Sequence, residues 1–458
     1  MATKDLTPVQ TLGAAPVKPT GGSGSPGLTL FAALLGIALM TLDASVVNVA
    51  LPAIADDLGS GMAGLQWVVD SYTLAFASLM LSTGAFADRT GATRAYAIGI
   101  ALFTLASAAC GFAPSLGVLI AARVVQGVAA AVVLPASLSL VRQAYPDAAQ
   151  RARAVALWAA GGSVALALGP VAGGALITWW GWPGIFFINL PLGALTLVLL
   201  VRAPRSLPRP APLDLPGQLT AVVALTALTF AVIERGTTGL ISLAVAVAAA
   251  LAFAVIESRQ PHPVVPLGLF RNRTVAIVVP TGVAISVTFY GMIFVFSLFF
   301  QQEQGSSALM AGLLFLPMTA LIVVANIVSG KLAGRFGPRL PMLVGQSLAI
   351  AGLLLLVAFA SADRSPWGLA FLMLPMAVGC GLTIPPLTAA MMEAVPASRA
   401  GTAAGVLNSA RQVGGGLAVA AFGSLIAGDF EAGMRVCLLV SAGLLAVTAA
   451  GTVRLRTR

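Results

Sequence analysis

The sequence predicts an all-α polytopic membrane protein: fourteen transmembrane helices, forming two six-helix bundles with two further helices inserted between them. Three observations carry that expectation. Of 458 residues, 59% are hydrophobic and only 9% are charged, against about 25% charged in a soluble globular protein. The apolar runs are continuous rather than alternating, which makes them helices and not barrel strands. A short motif also recurs at a distance that suits a duplicated bundle.

Residues 1–27 are rich in Pro, Gly, Ser and Thr and read as a disordered cytoplasmic tail. They lack the basic, apolar, small-residue order of a signal peptide. Apolar runs follow at 28–51, 65–86, 95–112, 115–140, 154–177 and 184–201, the expected N-terminal bundle (28–201). Runs at 216–233 and 239–256 sit between arginine-rich segments, so 202–273 is expected to be a two-helix insertion with basic cytoplasmic linkers. Runs at 274–300, 309–330, 340–360, 367–391, 402–427 and 434–453 give a C-terminal bundle (274–453), with a short cytoplasmic tail at 454–458. Each run is near or above the about 17 residues that a spanning helix needs.

The net charge of +10 speaks to topology and not to nucleic acid. With the N-terminal tail inside, 20 of the 25 Lys and Arg residues fall on the cytoplasmic side. Arg235, Arg364 and Arg435 fall outside, and Arg123 and Arg411 fall within spans. That bias puts both termini in the cytoplasm of a multi-pass protein in the cell (inner or plasma) membrane. The repeat supports the same layout. Gly84-Ala85-Phe86-Ala87-Asp88-Arg89-Thr90-Gly91 follows the second span, and Gly330-Lys331-Leu332-Ala333-Gly334-Arg335-Phe336-Gly337 follows the tenth, 246 residues later.

Charges inside the spans are few, and each is expensive: about 2.5–3.5 kcal/mol for an aspartate at mid-membrane on insertion scales. Asp43 lies roughly 22 Å into the first span from the cytoplasmic end, at 1.5 Å per residue. From the opposite face, Asp70 lies roughly 8 Å and Arg123 roughly 12 Å deep on the same scale. All three fall in the outer half of the bilayer. A carboxylate holds its proton weakly beside a guanidinium and firmly when desolvated alone. A carboxylate that moves between those settings carries protons, which nominates Asp43 with Arg123. Asp70 has two open readings: a titrating acid, or a side chain that reaches water near the interface. A structural Asp43 bonding a neighbouring helix is the plain alternative.

Arg411, with Asn408 and Gln412 near it, reads either as part of a polar network in the cavity or as a cap on carbonyls. Asn48, Asn189, Asn326 and Asn408 are further polar points, either cavity-lining or bonding between helices. In the fifth span, Gly169-Pro170 with Gly173-Gly174 combines a proline that removes a backbone hydrogen bond with glycines that admit a close neighbour; packing and a hinge are compatible readings. Asp88 through Arg94 reads as a short cytoplasmic loop. Asp88 there either pairs with arginines, caps a helix N-terminus, or is solvated. Cys110, Cys380 and Cys437 lie in apolar runs without metal-ligand spacing and read as core residues. His262, in a loop between two prolines, reads as solvated. No Gly-rich phosphate loop or catalytic cluster is visible, so neither an enzyme nor a cofactor is expected.

These residues resemble the major facilitator superfamily, and within it the 14-span drug:proton antiporters of the quaternary-ammonium efflux type. Leu42 through Pro52 is similar to that family's span-1 motif, and Gly84 through Arg94, with Gly84, Asp88, Arg89, Gly91 and Arg94, to its loop 2–3 motif. Arg123-Val124-Val125-Gln126-Gly127 resembles the span-4 motif. Gly169-Pro170 with Gly173-Gly174 resembles the span-5 antiporter motif, and Pro266 through Arg273 the segment before the second bundle. The resemblance implies alternating-access export of hydrophobic or cationic toxic compounds, antibiotics among them, in exchange for protons. It implies proton coupling at Asp43, Arg123 and Asp70, a cavity touching Asn48, Gln126, Asn189, Asn326, Asn408 and Arg411, and a monomer in contact with membrane lipid. Broad multidrug export, export of one self-made compound and passive facilitation remain open readings. One departure is informative: beyond residue 215, Glu234, Glu257, Glu303 and Glu393 fall at span ends and no acid falls within a span. Monocationic, neutral or weakly acidic amphiphiles are therefore expected ahead of dications.

Overall fold

A computed structural model describes residues 25–455, except 204–205, 207–213, 235, 261–262, 264 and 397–399. Most of the expected N-terminal tail, His262, and Lys4, Lys18, Arg205, Arg209, Arg235, Arg399, Arg456 and Arg458 lie outside the described residues. The described chain is all helical. The first seven helices are α1 (Pro26–Leu58), α2 (Met62–Thr90), α3 (Ala92–Gly111), α4 (Leu116–Ala144), α5 (Ala148–Trp180), α6 (Gly184–Phe187) and α7 (Asn189–Leu200). Then come α8 (Leu215–Ile233) and α9 (Thr237–Arg259). The remainder are α10 (Arg273–Leu298), α11 (Ala308–Phe336), α12 (Arg339–Phe359), α13 (Pro366–Leu372), α14 (Leu374–Glu393), α15 (Ala400–Ile426) and α16 (Phe430–Thr452). Eleven stretches among the described residues are long and apolar enough to cross a membrane. Beside them stand α2, α15 and the apolar pair α6–α7.

Two apolar runs are not single helices. The chain breaks at Ile188 and again at Met373. In both cases a proline follows closely, Pro191 and Pro375, and its missing N–H leaves the turn before it short of a hydrogen bond. The expected loop from Asp88 to Arg94 is a correction of another kind. Only Gly91 separates α2 from α3, with φ at +83°. A side chain at that position would be strained and would also meet the carbonyl of Ser206 at 2.5 Å. The repeat is metrical: α2 and α11 are both 29 residues long, and both end on a glycine of positive φ, Gly91 and Gly337.

Helices α1–α7 pack among themselves, as do α10–α16, and α8 and α9 pair as a hairpin. The hairpin is not a separate layer, because α8 rests on both α2 and α15. Gln218 of α8 donates to the carbonyl of Ser78 and accepts from the hydroxyl of Ser82, and Ser424 of α15 donates to the carbonyl of Val232. The two halves meet along two seams, α5 against α11 and α2 against α15.

The core divides unevenly between the two ends of the helices. At the end where α1 finishes, one apolar cluster runs through both halves, from Leu51, Ile54 and Val68 to Phe294, Phe315 and Phe422. At the end where α1 begins, each half keeps its own cluster, around Tyr96 and Leu140 in the first and Met342 and Leu407 in the second. The halves are thus fused at the far end and separate at the near end.

Candidate functional site

Asp43 sits midway along α1 with no exposed surface. Side chains of α4 and α7 bond it directly, and α3 supports them. Arg123 and Gln126 stand three residues apart on α4 and so share a face; Ser107 and Cys110 do the same on α3; Asn189 opens α7 just after the break at Ile188. Arg123 Nη1 reaches Asp43 Oδ2 at 2.5 Å, both side chains being at most 1% exposed. The same nitrogen donates to Gln126 Oε1 at 2.9 Å, and Arg123 Nε donates to the carbonyl of Val68 at 3.1 Å. Asp43 Oδ1 accepts from Asn189 Nδ2 at 2.9 Å and from Gln126 Nε2 at 3.3 Å. Asn189 also donates to Ser107 Oγ, which donates to the carbonyl of Phe186, both at 2.9 Å. A buried ion pair is tolerable only when its remaining donors and acceptors are matched in this way. The Arg123 guanidinium carbon lies 4.3 Å from the centre of the Tyr72 ring, where a cation is attracted to the π face.

Asp70 does not join this cluster, contrary to the depth argument. It is fully buried on α2, and neither carboxylate oxygen has a hydrogen-bond partner among the described residues. It faces α15 across the seam: a Cβ added at Gly416 would lie 3.4 Å from Asp70 Oδ1. Depth along a helix places a residue at a level; the side on which it points decides its partner.

A central cavity of about 200 Å³ lies between the halves, touched by Ala167 of α5, Tyr290 of α10, Asn326 of α11, Cys380 of α14 and Arg411 of α15. A recess of about 30 Å³ adjoins it at Tyr290, lined by Ala44, Asn48, Tyr72 and Gln412 among others. Asn48 lines the recess, and Asn326 and Arg411 line the central cavity. Arg411 Nε and Asn326 Oδ1 are buried and have no hydrogen-bond partner among the described residues. Three expectations need correction. Gln126 and Asn189 are buried in the Asp43 cluster, Asn408 is exposed, and no residue of α4 lines either space. Tyr72 and Tyr290, which line it, were missed; an aromatic in an apolar span gives no signal that separates it from core.

The span-5 glycines serve two neighbours. A Cβ at Gly169 would lie 1.6 Å from Ser45 Oγ, and one at Gly173 would lie 3.1 Å from the carbonyl of Val46, so both press α1. Gly174 presses the backbone of Ala308, and Gly312 of α11 presses the carbonyl of Pro170. Close approach of small residues packs helices in a membrane, and here it makes α5 the joint between halves. Gly84 and Arg94 flank the single-residue turn at Gly91. Asp88 and Arg89 are exposed in the last turn of α2, at a helix C-terminus rather than an N-terminus, and neither joins an ion pair among the described residues.

The sequence and the fold both have close counterparts. Residues 33–419 match the Major Facilitator Superfamily. The chain is 40% identical to the multidrug resistance protein Stp of Mycobacterium tuberculosis, over 87% of this chain and 76% of that one. It is 37% identical to a methylenomycin A resistance protein of Streptomyces coelicolor, over 95% and 94%. A tetracenomycin C resistance and export protein of Streptomyces glaucescens is 32% identical, over 91% and 78%. Among solved structures, a D-xylose-proton symporter superposes with a TM-score of 0.70 at 14% identity, covering 94% of this chain and 98% of that one. A bacterial homolog of the human lysosomal transporter Spinster, inward-facing and unoccupied, gives 0.68 at 18%, covering 94% and 97%. The chain belongs to the Major Facilitator Superfamily and is a multi-pass membrane transport protein.

Proposed function

We propose that this protein exports hydrophobic, drug-like compounds across the cell membrane in exchange for protons. It works as a monomer that crosses the bilayer fourteen times, with both termini in the cytoplasm, and as two six-helix bundles that rock about the central cavity. Export of drugs rests on the relatives, which carry names of multidrug, methylenomycin and tetracenomycin resistance over most of both chains. The coupling rests on one observation above all: Asp43, with no exposed surface, is held at 2.5 Å by Arg123 inside the first bundle. Protonating Asp43 cancels its attraction for Arg123 and frees the guanidinium, so proton entry changes how α1 and α4 are held together. Asp70 is a second acid, buried in the α2–α15 seam, where neither carboxylate oxygen has a hydrogen-bond partner among the described residues, an arrangement that burial makes costly. Asn48, Asn326 and Arg411 meet the cargo, and α5 acts as the hinge.

The cargo has a second reading, export of one dedicated compound, favoured by the two relatives named for single antibiotics. Transport in proteoliposomes under an imposed proton gradient tests the coupling, with a panel of mono- and dicationic dyes as cargo. Wild type is expected to move dye uphill, and Asp43→Asn only downhill. Uphill movement by Asp43→Asn at the wild-type rate would overturn the assignment. A dedicated exporter would move none of the panel.

A further inference from the structure

We propose that the central cavity selects a compact amphiphile with a single negative charge, the ionised form of a weak organic acid, over a cation of the same shape. The inference rests on the export reading above and names the cargo class of that site. Arg411 is the only charged side chain that lines the central cavity or its recess among the described residues. Neither of the two ion pairs among the described residues includes it. The titratable groups that act on it are Tyr290 and Cys380, both of types uncharged near neutral pH. The two acids buried in spans of the first half do not line this space. Asp43 is held by Arg123, and Asp70 lies in the α2–α15 seam. A guanidinium beside an apolar cavity is costly unless something answers its charge.

Two glycines make the seat. A Cβ added at Gly282 of α10 would lie 3.1 Å from Arg411 Cγ, so the bare backbone gives the arginine stem its room. One turn along α15, a Cβ at Gly415 would lie 2.9 Å from Tyr290 Cδ2, so that glycine admits the ring. Arg411 is half-buried: Nε is enclosed without a hydrogen-bond partner among the described residues, and the side chain borders the cavity. Tyr290 and Asn326 border it too, and a hydroxyl and an amide N–H are both donors. A carboxylate only accepts, and its bonds from a guanidinium are about twice as strong as neutral ones. A cation in the same place would meet a like charge. Leu166, Phe289, Ile322 and Ile384 supply apolar walls for the body. At about 200 Å³ the space falls below the about 300–1,000 Å³ of most ligand pockets, so the body is compact. From sequence, Arg411 read as a network member or a carbonyl cap. Neither reading fixes the charge of the cargo, because the lack of an acid beside it is a property of the packed halves.

The probes are 2-naphthoate, 2-naphthamide and 2-naphthamidinium, which share one planar shape and are anionic, neutral and cationic. Each is titrated calorimetrically into the full chain in detergent at neutral pH, with no gradient. Naphthoate is expected to bind about tenfold or more tighter than naphthamidinium. Arg411→Gln strands no acid, so it is expected to keep the wild-type melting temperature. It should lose the preference for naphthoate while binding naphthamide as before. Arg411→Lys keeps a charge and should keep a preference for naphthoate. Ile384→Trp, which fills the cavity from α14, is expected to abolish binding of all three. Naphthoate binding no tighter than naphthamidinium, or a preference undiminished in Arg411→Gln, would overturn the inference. The export reading is tested apart from it, by proton-driven uphill movement in proteoliposomes. Failure of all three probes and of the dyes to move would overturn that reading, whereas charge-blind binding overturns only the choice of cargo.

Discussion

Asp43 and Arg123 illustrate what a single residue costs and what it can therefore report. Each alone is prohibitive at this depth, and together they are matched by Gln126, Asn189 and the Val68 carbonyl. Removing one partner strands the other. Arg123→Met is expected to destabilise the protein by about 3–5 kcal/mol, measured by thermal unfolding in detergent. The double variant Asp43→Asn with Arg123→Met removes both charges and should recover most of that loss. A double variant no more stable than Arg123→Met would mean that packing, not charge, carries the effect. This pair was legible in the sequence, because helical rise converts residue count into depth and both residues fall at one level. Asp70 was misplaced for the complementary reason. Its level is right, but its direction, toward Gly416 on α15, is set by a helix more than 300 residues away.

At the scale of elements, all fourteen apolar runs correspond to helices or helix pairs, and several helices outlast their runs, α1, α2, α5 and α11 by the most. The excess lies at polar ends, as where α1 continues through Asp56 and Asp57 to Leu58; apolarity marks where lipid touches a helix and not where its hydrogen bonds stop. The breaks at Ile188 and Met373 had a signal in the prolines that follow, but prolines such as Pro52, Pro135 and Pro170 sit inside unbroken helices, so the signal alone does not decide. What glycines do between elements is testable at Gly169. Its added Cβ falls 1.6 Å from Ser45 Oγ and 2.7 Å from Ser45 Cβ. Gly169→Ala is therefore expected to lose about 1–3 kcal/mol through overpacking. Adding Ser45→Gly, which removes both colliding atoms, should restore most of it. A Gly169→Ala protein as stable as wild type in thermal unfolding would show that α1 and α5 part at no cost.

The whole molecule is where sequence gave least, because the seams α2–α15 and α5–α11 join helices far apart in the chain and no local pattern names them. Their consequence is a core continuous at the far end and divided at the near end. The rocking proposed above would exchange those conditions, and the far seam is tightest where backbone meets backbone. A Cβ on Gly312 would lie 2.2 Å from the carbonyl oxygen of Pro170, an atom that cannot step aside as a side-chain tip can. Gly312→Val is therefore expected to pry α11 from α5 and shift the population toward a state open at the far end. Two reporters follow it in a background without Cys110, Cys380 and Cys437. Asn326→Cys lines the central cavity and is expected to react with a membrane-impermeant maleimide from the near side only. Gln66→Cys replaces a buried side chain whose amide donates to the carbonyl of Ala420 at 2.5 Å across the far seam. It should be protected from the far side in the otherwise wild-type chain and become labelled once Gly312→Val is added. Labelling of Asn326→Cys from the far side in the parent would reverse the assignment of open and closed ends. Continued protection of Gln66→Cys in the Gly312→Val chain would mean that the far seam is held by its apolar core rather than by the α5–α11 contact.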